Sequence, residues 1–307
     1  MKKVKFVRVD VFASKPFQGN ALAVFPDAKA LTSREMQLLA NEMNLSETTF
    51  VVPPTRGSGA DFRVRIFVPD MEIPYAGHPT VGTFYVLARL GKIKLRPPIT
   101  VSKMESMAGV LPVEIHSRGK RISKVVTVQN RPEFMKTFED PSPFARALSL
   151  GEDDLDTERM PIEMVSTGLP WVILPVTSRK AVERARGNAA EFAEAMKGLP
   201  KEVGFYVTCL DPLKRGSTTH SRGFALVSGN VVEDPATGSA SGDLGAYLVR
   251  HGLIEVRRIT KIVNEQGYEI NRPSRIEIEV RTAEDGTISS VKVGGSVVHV
   301  MDGTAYI

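Results

Sequence analysis

Three short segments carry side chains able to move protons. Pro74-Tyr75-Ala76-Gly77-His78-Pro79 sets an imidazole beside a glycine, directly ahead of a long apolar run. If that run is a helix, its first backbone N–H groups are unpaired and can hold an anion. Glu233-Asp234-Pro235-Ala236-Thr237-Gly238-Ser239 places the Asp234 carboxylate, next to that of Glu233, with two hydroxyls and a glycine before a second run of the same kind. Glu47, in Asn44-Leu45-Ser46-Glu47-Thr48, has apolar neighbours that could lift its pKa toward a useful value. Each has a plainer reading as well: a structural histidine, a helix cap and a surface glutamate. One carboxylate can take a proton from carbon and return it on the same face, so Glu47 with His78 and Asp234 would suffice for a proton shuttle.

The surrounding patterning supplies elements to hold these groups. Residues 4–12 and 19–25 are dense in β-formers and separated by a Pro16/Gly19 turn. Thr32 and Glu35 form a capping box, and Met36, Leu39, Ala40 and Met43 recur at helical spacing, which predicts an amphipathic helix over 33–44. Glu47 leads from it into a β run at 48–52, and 62–67 alternates as a half-buried strand. Residues 79–90 hold a single charge, Arg89, between a proline and Gly91, which predicts a helix buried on all sides. A comparable segment runs from Asp234 to Gly252, about 156 residues further on when Pro79 is set against Pro235. Further strands are expected near 122–129, 171–176, 203–209, 222–227, 276–280 and 290–300, with a helix at 188–197. Arg118 to Arg121 reads as a polar turn, and residues 130–143 as a proline- and charge-rich stretch. The expected fold is α+β: two similar domains, each a strongly curved or barrel-like sheet wrapped around a central helix. The expected bounds are 1–127, completed by 297–307, and 128–296. Should the halves face each other, both helix starts would point into an interdomain cleft and hold a substrate carboxylate or an enolate-like oxygen.

Composition narrows the chemistry. The 307 residues suit two domains, and 42% hydrophobic residues can fill a core in each. A net charge of +5, spread along the chain, gives no concentrated basic stripe, so nucleic acid is not an expected partner and a small anion is. No apolar signal core or long apolar span predicts export or membrane insertion, and a cytoplasmic location is expected. The single cysteine, Cys209, rules out an intrachain disulfide and any mechanism needing two thiols. No dinucleotide fingerprint, P-loop or close set of metal ligands points to a cofactor or metal.

Several blocks, in order, resemble the PhzF-like family, named for the phenazine-biosynthesis isomerase and related in fold to diaminopimelate epimerase. They are Asp10-Val11-Phe12, Gly19-Asn20, Met36-Gln37, Asn44 to Thr48, Arg65-Ile66-Phe67, Gly77-His78-Pro79, Glu233 to Ser239, Glu265-Gln266-Gly267 and Arg272-Pro273-Ser274. The resemblance implies a cofactor-independent isomerase and a homodimer. It makes Glu47 the acid/base, His78 and Asp234 its partners, and Gly77, Gly238, Ser239 and Asn20 substrate-binding positions. The substrate implied is a small, carboxylated metabolite. A racemase or epimerase of an amino or hydroxy acid without a thiol pair, or a non-catalytic binding homodimer, are the competing readings. Two local turns depart from the family pattern: Asn271 stands where glycine is common, and Ser228-Gly229-Asn230 replaces a proline-bearing turn.

Overall fold

Several stretches alternate buried and exposed side chains, the period of a half-buried strand; Ile99–Ser106 and Ser274–Thr282 do so almost without a break. The computed structural model describes all residues, 1–307, and divides into two units, Met1–Val128 with Gly294–Ile307, and Gln129–Val293.

In the first unit, β1 (Lys3–Val11) pairs antiparallel with β2 (Asn20–Phe25) on one side and with the C-terminal strand Val297–Tyr306 on the other. Helix α1 (Ser33–Met43) starts at the capping box: the Glu35 N–H donates to Thr32 Oγ1 at 3.3 Å, and the Thr32 N–H donates to Glu35 Oε2 at 2.7 Å. Its apolar side, Met36, Leu39 and Ala40, packs with Phe25, Phe50 and Phe67. Strand β3 (Glu47–Val52) then runs parallel to β2 and antiparallel to β4 (Phe62–Phe67). After β5 (Glu72–Ile73) comes α2 (Gly77–Arg89), and β6 (Ile99–Ser106), β7 (Gly109–Arg118) and β8 (Arg121–Val128) follow as an antiparallel meander.

The second unit opens with β9 (Glu133–Phe138), α3 (Ser142–Ala147), β10 (Ile162–Ser166) and β11 (Pro170–Pro175). Helices α4 (Arg179–Arg184) and α5 (Ala189–Ala195) precede β12 (Gly204–Cys209), which is parallel to β11. Strand β13 (Thr219–Val227) pairs with β12 and with β14 (Asn230–Asp234), and α6 (Gly238–Arg250) follows. Strands β15 (Ile259–Gln266), β16 (Ser274–Thr282) and β17 (Ile288–Gly295) complete the element order.

Each unit is organised by its thirteen-residue helix. Eleven residues of α2 and twelve of α6 are buried, so neither helix keeps a solvated face. Helix α2 is lined by β1, β2, β3, β7 and β8, and α6 by β10, β11, β15 and β16. Both end alike. The Gly91 N–H donates to Ala88 O and the Lys92 N–H to Leu87 O; the Gly252 N–H donates to Val249 O and the Leu253 N–H to Leu248 O. These are paired Schellman bonds, with Gly91 (φ 71°) and Gly252 (φ 62°) in the left-handed conformation they require.

The structure departs from the sequence reading in several places, and α3, α4, β10 and β15 are elements that reading did not name. Helix α2 starts at Gly77 rather than Pro79, which puts His78 in its first turn. Asp234 ends a strand, and the second helix begins only at Gly238. The proline- and charge-rich stretch contains β9, whose charged side chains are mostly exposed while its backbone pairs with β10. Strands β6 and β7 fill a region the patterning did not name; their hydroxyl, lysine and glutamate positions mask the alternation. The two unusual turns fit their residues. Ser228 and Gly229 both take positive φ in a two-residue hairpin loop, and Asn271 (φ 57°) adopts the conformation glycine favours.

A Cβ on Gly82 would stand 2.5 Å from Leu22 Cδ2 and 2.8 Å from Val11 Cγ2, so α2 packs against β1 and β2 only because this position lacks a side chain. Gly82→Ala, which in a solvated helix gains about 1 kcal/mol, is expected here to cost about 1–3 kcal/mol through overpacking, read as a lower urea midpoint.

Candidate active site

Helix α1 ends on Asn44, whose left-handed φ of 46° reverses the chain so that Glu47 becomes the first residue of β3, opposite Leu22 of β2. Its carboxylate is half-buried. Asn20 opens β2 and is almost fully buried, as is His78 in the first turn of α2. These three side chains meet. His78 Nε2 lies 3.2 Å from Glu47 Oε2, out of line for a hydrogen bond, and Asn20 Nδ2 lies 3.3 Å from His78 Nδ1.

That arrangement selects one form of the ring. The amide nitrogen of Asn20 only donates, so Nδ1 accepts and the hydrogen of a neutral imidazole resides on Nε2, on the Glu47 side. Burial pushes the His78 pKa down to about 3, and the positive end of α2 acts in the same direction. The imidazole is therefore neutral near pH 7. It places no full positive charge beside the Glu47 carboxylate.

The start of α2 carries further donors. Its N-cap, Ala76, has no side-chain oxygen, so no cap occupies the N–H groups of Gly77 and His78; Pro79, which lacks one, costs nothing at that place. The start of α6 repeats this in the second unit. The N-cap Thr237 does not cap: its hydroxyl donates to Asp234 Oδ2 at 2.6 Å and its N–H donates to Gln266 Oε1 at 2.9 Å. Gln266 Nε2 donates to Asp234 O at 2.7 Å and to Thr237 Oγ1 at 2.9 Å, so one amide moulds the whole turn between β14 and α6. Gly223 permits it, since a Cβ there would meet Thr237 Oγ1 at 2.9 Å. Ser239 Oγ accepts a hydrogen bond from Trp171 Nε1 at 3.1 Å.

Glu47, His78, Gly77 and Asn20 thus fall together in the first unit, and Asp234, Gly238 and Ser239 in the second. Sequence reasoning missed the roles of Gln266, Tyr206 and Trp171. Gln266 stands inside a block the resemblance picked out, which was its only signal. Tyr206 donates to Gln266 Oε1 at 2.8 Å and accepts from Asn264 Nδ2 at 2.6 Å, links between strands that no linear pattern reveals. Cys209 is buried, and burial first of all pushes its thiol up to about 11, which leaves it protonated and unreactive at neutral pH.

The family described as PhzC-PhzF, phenazine biosynthesis-like protein, matches residues 9–303. The chain belongs to this family. It is 33% identical over 311 residues to an uncharacterized isomerase of Mesorhizobium japonicum, with all of both chains covered. It is also 34% identical over 304 residues to the trans-2,3-dihydro-3-hydroxyanthranilate isomerase of Pseudomonas aeruginosa, with 99% of each covered. Among solved structures, the Bacillus anthracis phenazine biosynthesis protein of the PhzF family matches over the full length of both chains with a TM-score of 0.90 at 31% identity. A hydroxyproline epimerase of Agrobacterium vitis, at 13% identity and a TM-score of 0.66, shares the fold. The PhzF protein described here is accordingly an isomerase-type enzyme on the diaminopimelate epimerase-like fold, with buried acidic and basic groups suited to acid/base catalysis. No helix is long and apolar enough to cross a membrane.

The His78 ring titrates at about 3 when folded, against an ordinary 6.5, so the unfolded chain binds the extra proton between those values. Its contribution to stability is complete above about pH 6.5 and is lost as pH falls toward 3. Urea midpoints measured from pH 7 to pH 4 are expected to decline in the wild type and to decline less steeply in His78→Asn.

Proposed function

We propose that this PhzF-family enzyme moves a proton between carbons of a small carboxylated metabolite without a cofactor, and that Glu47 carries the proton. The observation behind this reading is the Glu47–His78–Asn20 set: a carboxylate 3.2 Å from a buried, neutral imidazole whose tautomer an amide determines. Glu47 removes a proton from an activated C–H, and the electron pair left behind delocalises along the adjacent double bond toward a carbonyl or carboxyl group. The N–H groups at the start of α2 stabilise the charge that develops, a task suited to uncapped helix starts. Glu47, whose newly bound proton exchanges with solvent, then protonates another carbon on the same face, the double bond shifts, and the enzyme is regenerated with no redox change. His78, neutral and with its hydrogen on Nε2, stands beside the carboxylate and does not itself take up the proton. Gly77 binds the substrate through its N–H, and Asn20 acts on it through His78. Asp234 takes part in catalysis and Gly238 and Ser239 bind substrate in this reading, and the working protein is a homodimer.

The P. aeruginosa relative directs the choice of first substrate, trans-2,3-dihydro-3-hydroxyanthranilate, which should be tried beside other carboxylated dienes and amino acids. In deuterated water, the wild type is expected to give an isomer carrying deuterium at the accepting carbon. Glu47→Gln is expected to slow that incorporation by about 10²–10⁴-fold, and Asp234→Asn to raise KM or lower kcat for the same compound. Equal incorporation in Glu47→Gln would overturn the base assignment. Deuterium at an inverted stereocentre with no double-bond shift would make the enzyme an epimerase, and a light-scattering mass of one chain, 33.6 kDa, would rule out the dimer.

A further inference from the structure

Five charged groups lie close together in the second unit, apart from the residues assigned above. His220 and Arg222 on β13 face Glu265 at the end of β15, Glu269 in the following turn, and Glu233 on β14. His220 is fully buried, and Arg222 and Glu265 nearly so. His220 Nε2 is 2.8 Å from Glu269 Oε1, and its Nδ1 is 3.5 Å from Glu265 Oε2, an electrostatic contact out of line for a hydrogen bond. Glu265 also accepts the Leu213 and Lys214 N–H groups at 2.7 and 2.9 Å. Arg222 grips Glu233 with two bonds of 2.9 and 2.6 Å, donates to Val182 O and Ala185 O, and comes within 4.0 Å of Glu269 Oε2.

The position of this cluster gives it a task. Glu265 and Glu269 flank Gln266 and Gly267. Gln266 holds Asp234 O and the Thr237 N–H, and Gly267 lies so close to the same turn that a Cβ on it would stand 2.5 Å from Pro235 O. We propose that protonated His220 is a positioning residue: by drawing Glu265 and Glu269 together it closes the 265–269 turn, and that turn holds Asp234 and the start of α6 in place. This rests on the reading that Asp234 acts in the reaction.

Without the proton, one buried and two partly buried carboxylates would share one guanidinium, and Glu265 and Glu269 would repel across a neutral ring. Burial alone lowers the His220 pKa, but Glu265 and Glu269 outweigh it and lift the value to about 9. The remaining neighbours do not mask that step. Cys209, opposite His220 on β12, is pushed up to about 11, and burial raises the Tyr268 phenol, whose ring stands edge-on to the imidazole. A group raised in the folded state stabilises fully below its unfolded value and loses that effect as pH rises through the folded one. The turn is therefore expected to hold at neutral pH and to loosen above about 9.

Millisecond deuterium labelling of the full chain, read by mass spectrometry on the peptide spanning residues 234–239, tests this without any substrate. After correction for intrinsic exchange, protection in the wild type is expected to fall at least tenfold between pH 7.5 and pH 10. In His220→Arg, which keeps a permanent cation, protection should stay level, and in His220→Gln it should be low already at pH 7.5. Should either variant fail to fold, the wild-type step still decides. Protection level to pH 10 in the wild type, or the same step in a folded His220→Arg, overturns the proposal. In turnover, a kcat limb near pH 9 that His220→Arg removes supports the positioning role, and an active wild type with a flat profile to pH 10 overturns it. A wild type with no Glu47-dependent turnover at any pH overturns the isomerase reading instead, and the labelling step then judges the turn alone.

Discussion

A helix enclosed by strands can present its polar groups only at its ends, and the rest of each unit follows from that constraint. Along the buried length of α2 and α6 every backbone group is consumed by the helix itself, and a solvated side chain has no place. At the C-termini, the carbonyls are satisfied internally by paired bonds around Gly91 and Gly252. At the N-termini, no side chain caps the first N–H groups. The fold thus closes one end of each helix and keeps donors available at the other, where Gly77-His78 and Gly238-Ser239 stand.

The two units treat a buried histidine in opposite ways. His78 has an amide on one nitrogen and a single carboxylate, out of line, near the other; desolvation prevails and the ring stays neutral. His220 lies between two carboxylates, one of them in good hydrogen-bonding geometry, and pairing prevails over desolvation. A neutral ring sets no positive charge beside the Glu47 carboxylate. A charged ring suits a place where two glutamates must be held near each other. Local charge count, rather than burial, separates the two, because both rings are almost fully buried.

Much of this was legible in the chain. The capping box of Thr32 and Glu35, the period-two strands and the low-charge segments ending in Gly91 and Gly252 are local signals, because caps, pleat and helix period act over a few residues. The grouping of Gly77, His78 and Glu47 as candidates came from residue type beside helix starts and from the family resemblance, and the structure sets His78 and Glu47 in contact. Less legible were the exact helix starts, where Pro79 and Pro235 drew attention to themselves although the helices begin at Gly77 and Gly238. Strands β6 and β7 were obscured because Thr100, Ser102, Ser106 and Ser117 are on the buried side while Ile99, Val101 and Val110 are exposed, the reverse of the usual polarity.

By itself, the sequence limited the class of chemistry and the kind of fold: a single cysteine excludes a thiol pair, and two low-charge helical segments call for sheets around them. Only the tertiary structure decided which nitrogen of His78 bears the hydrogen, that Gln266 moulds the Asp234 turn, and that His220 gathers two glutamates. Those facts depend on side chains brought together from strands tens of residues apart. A pKa or a tautomer is a property of such a neighbourhood, and no stretch of sequence contains it.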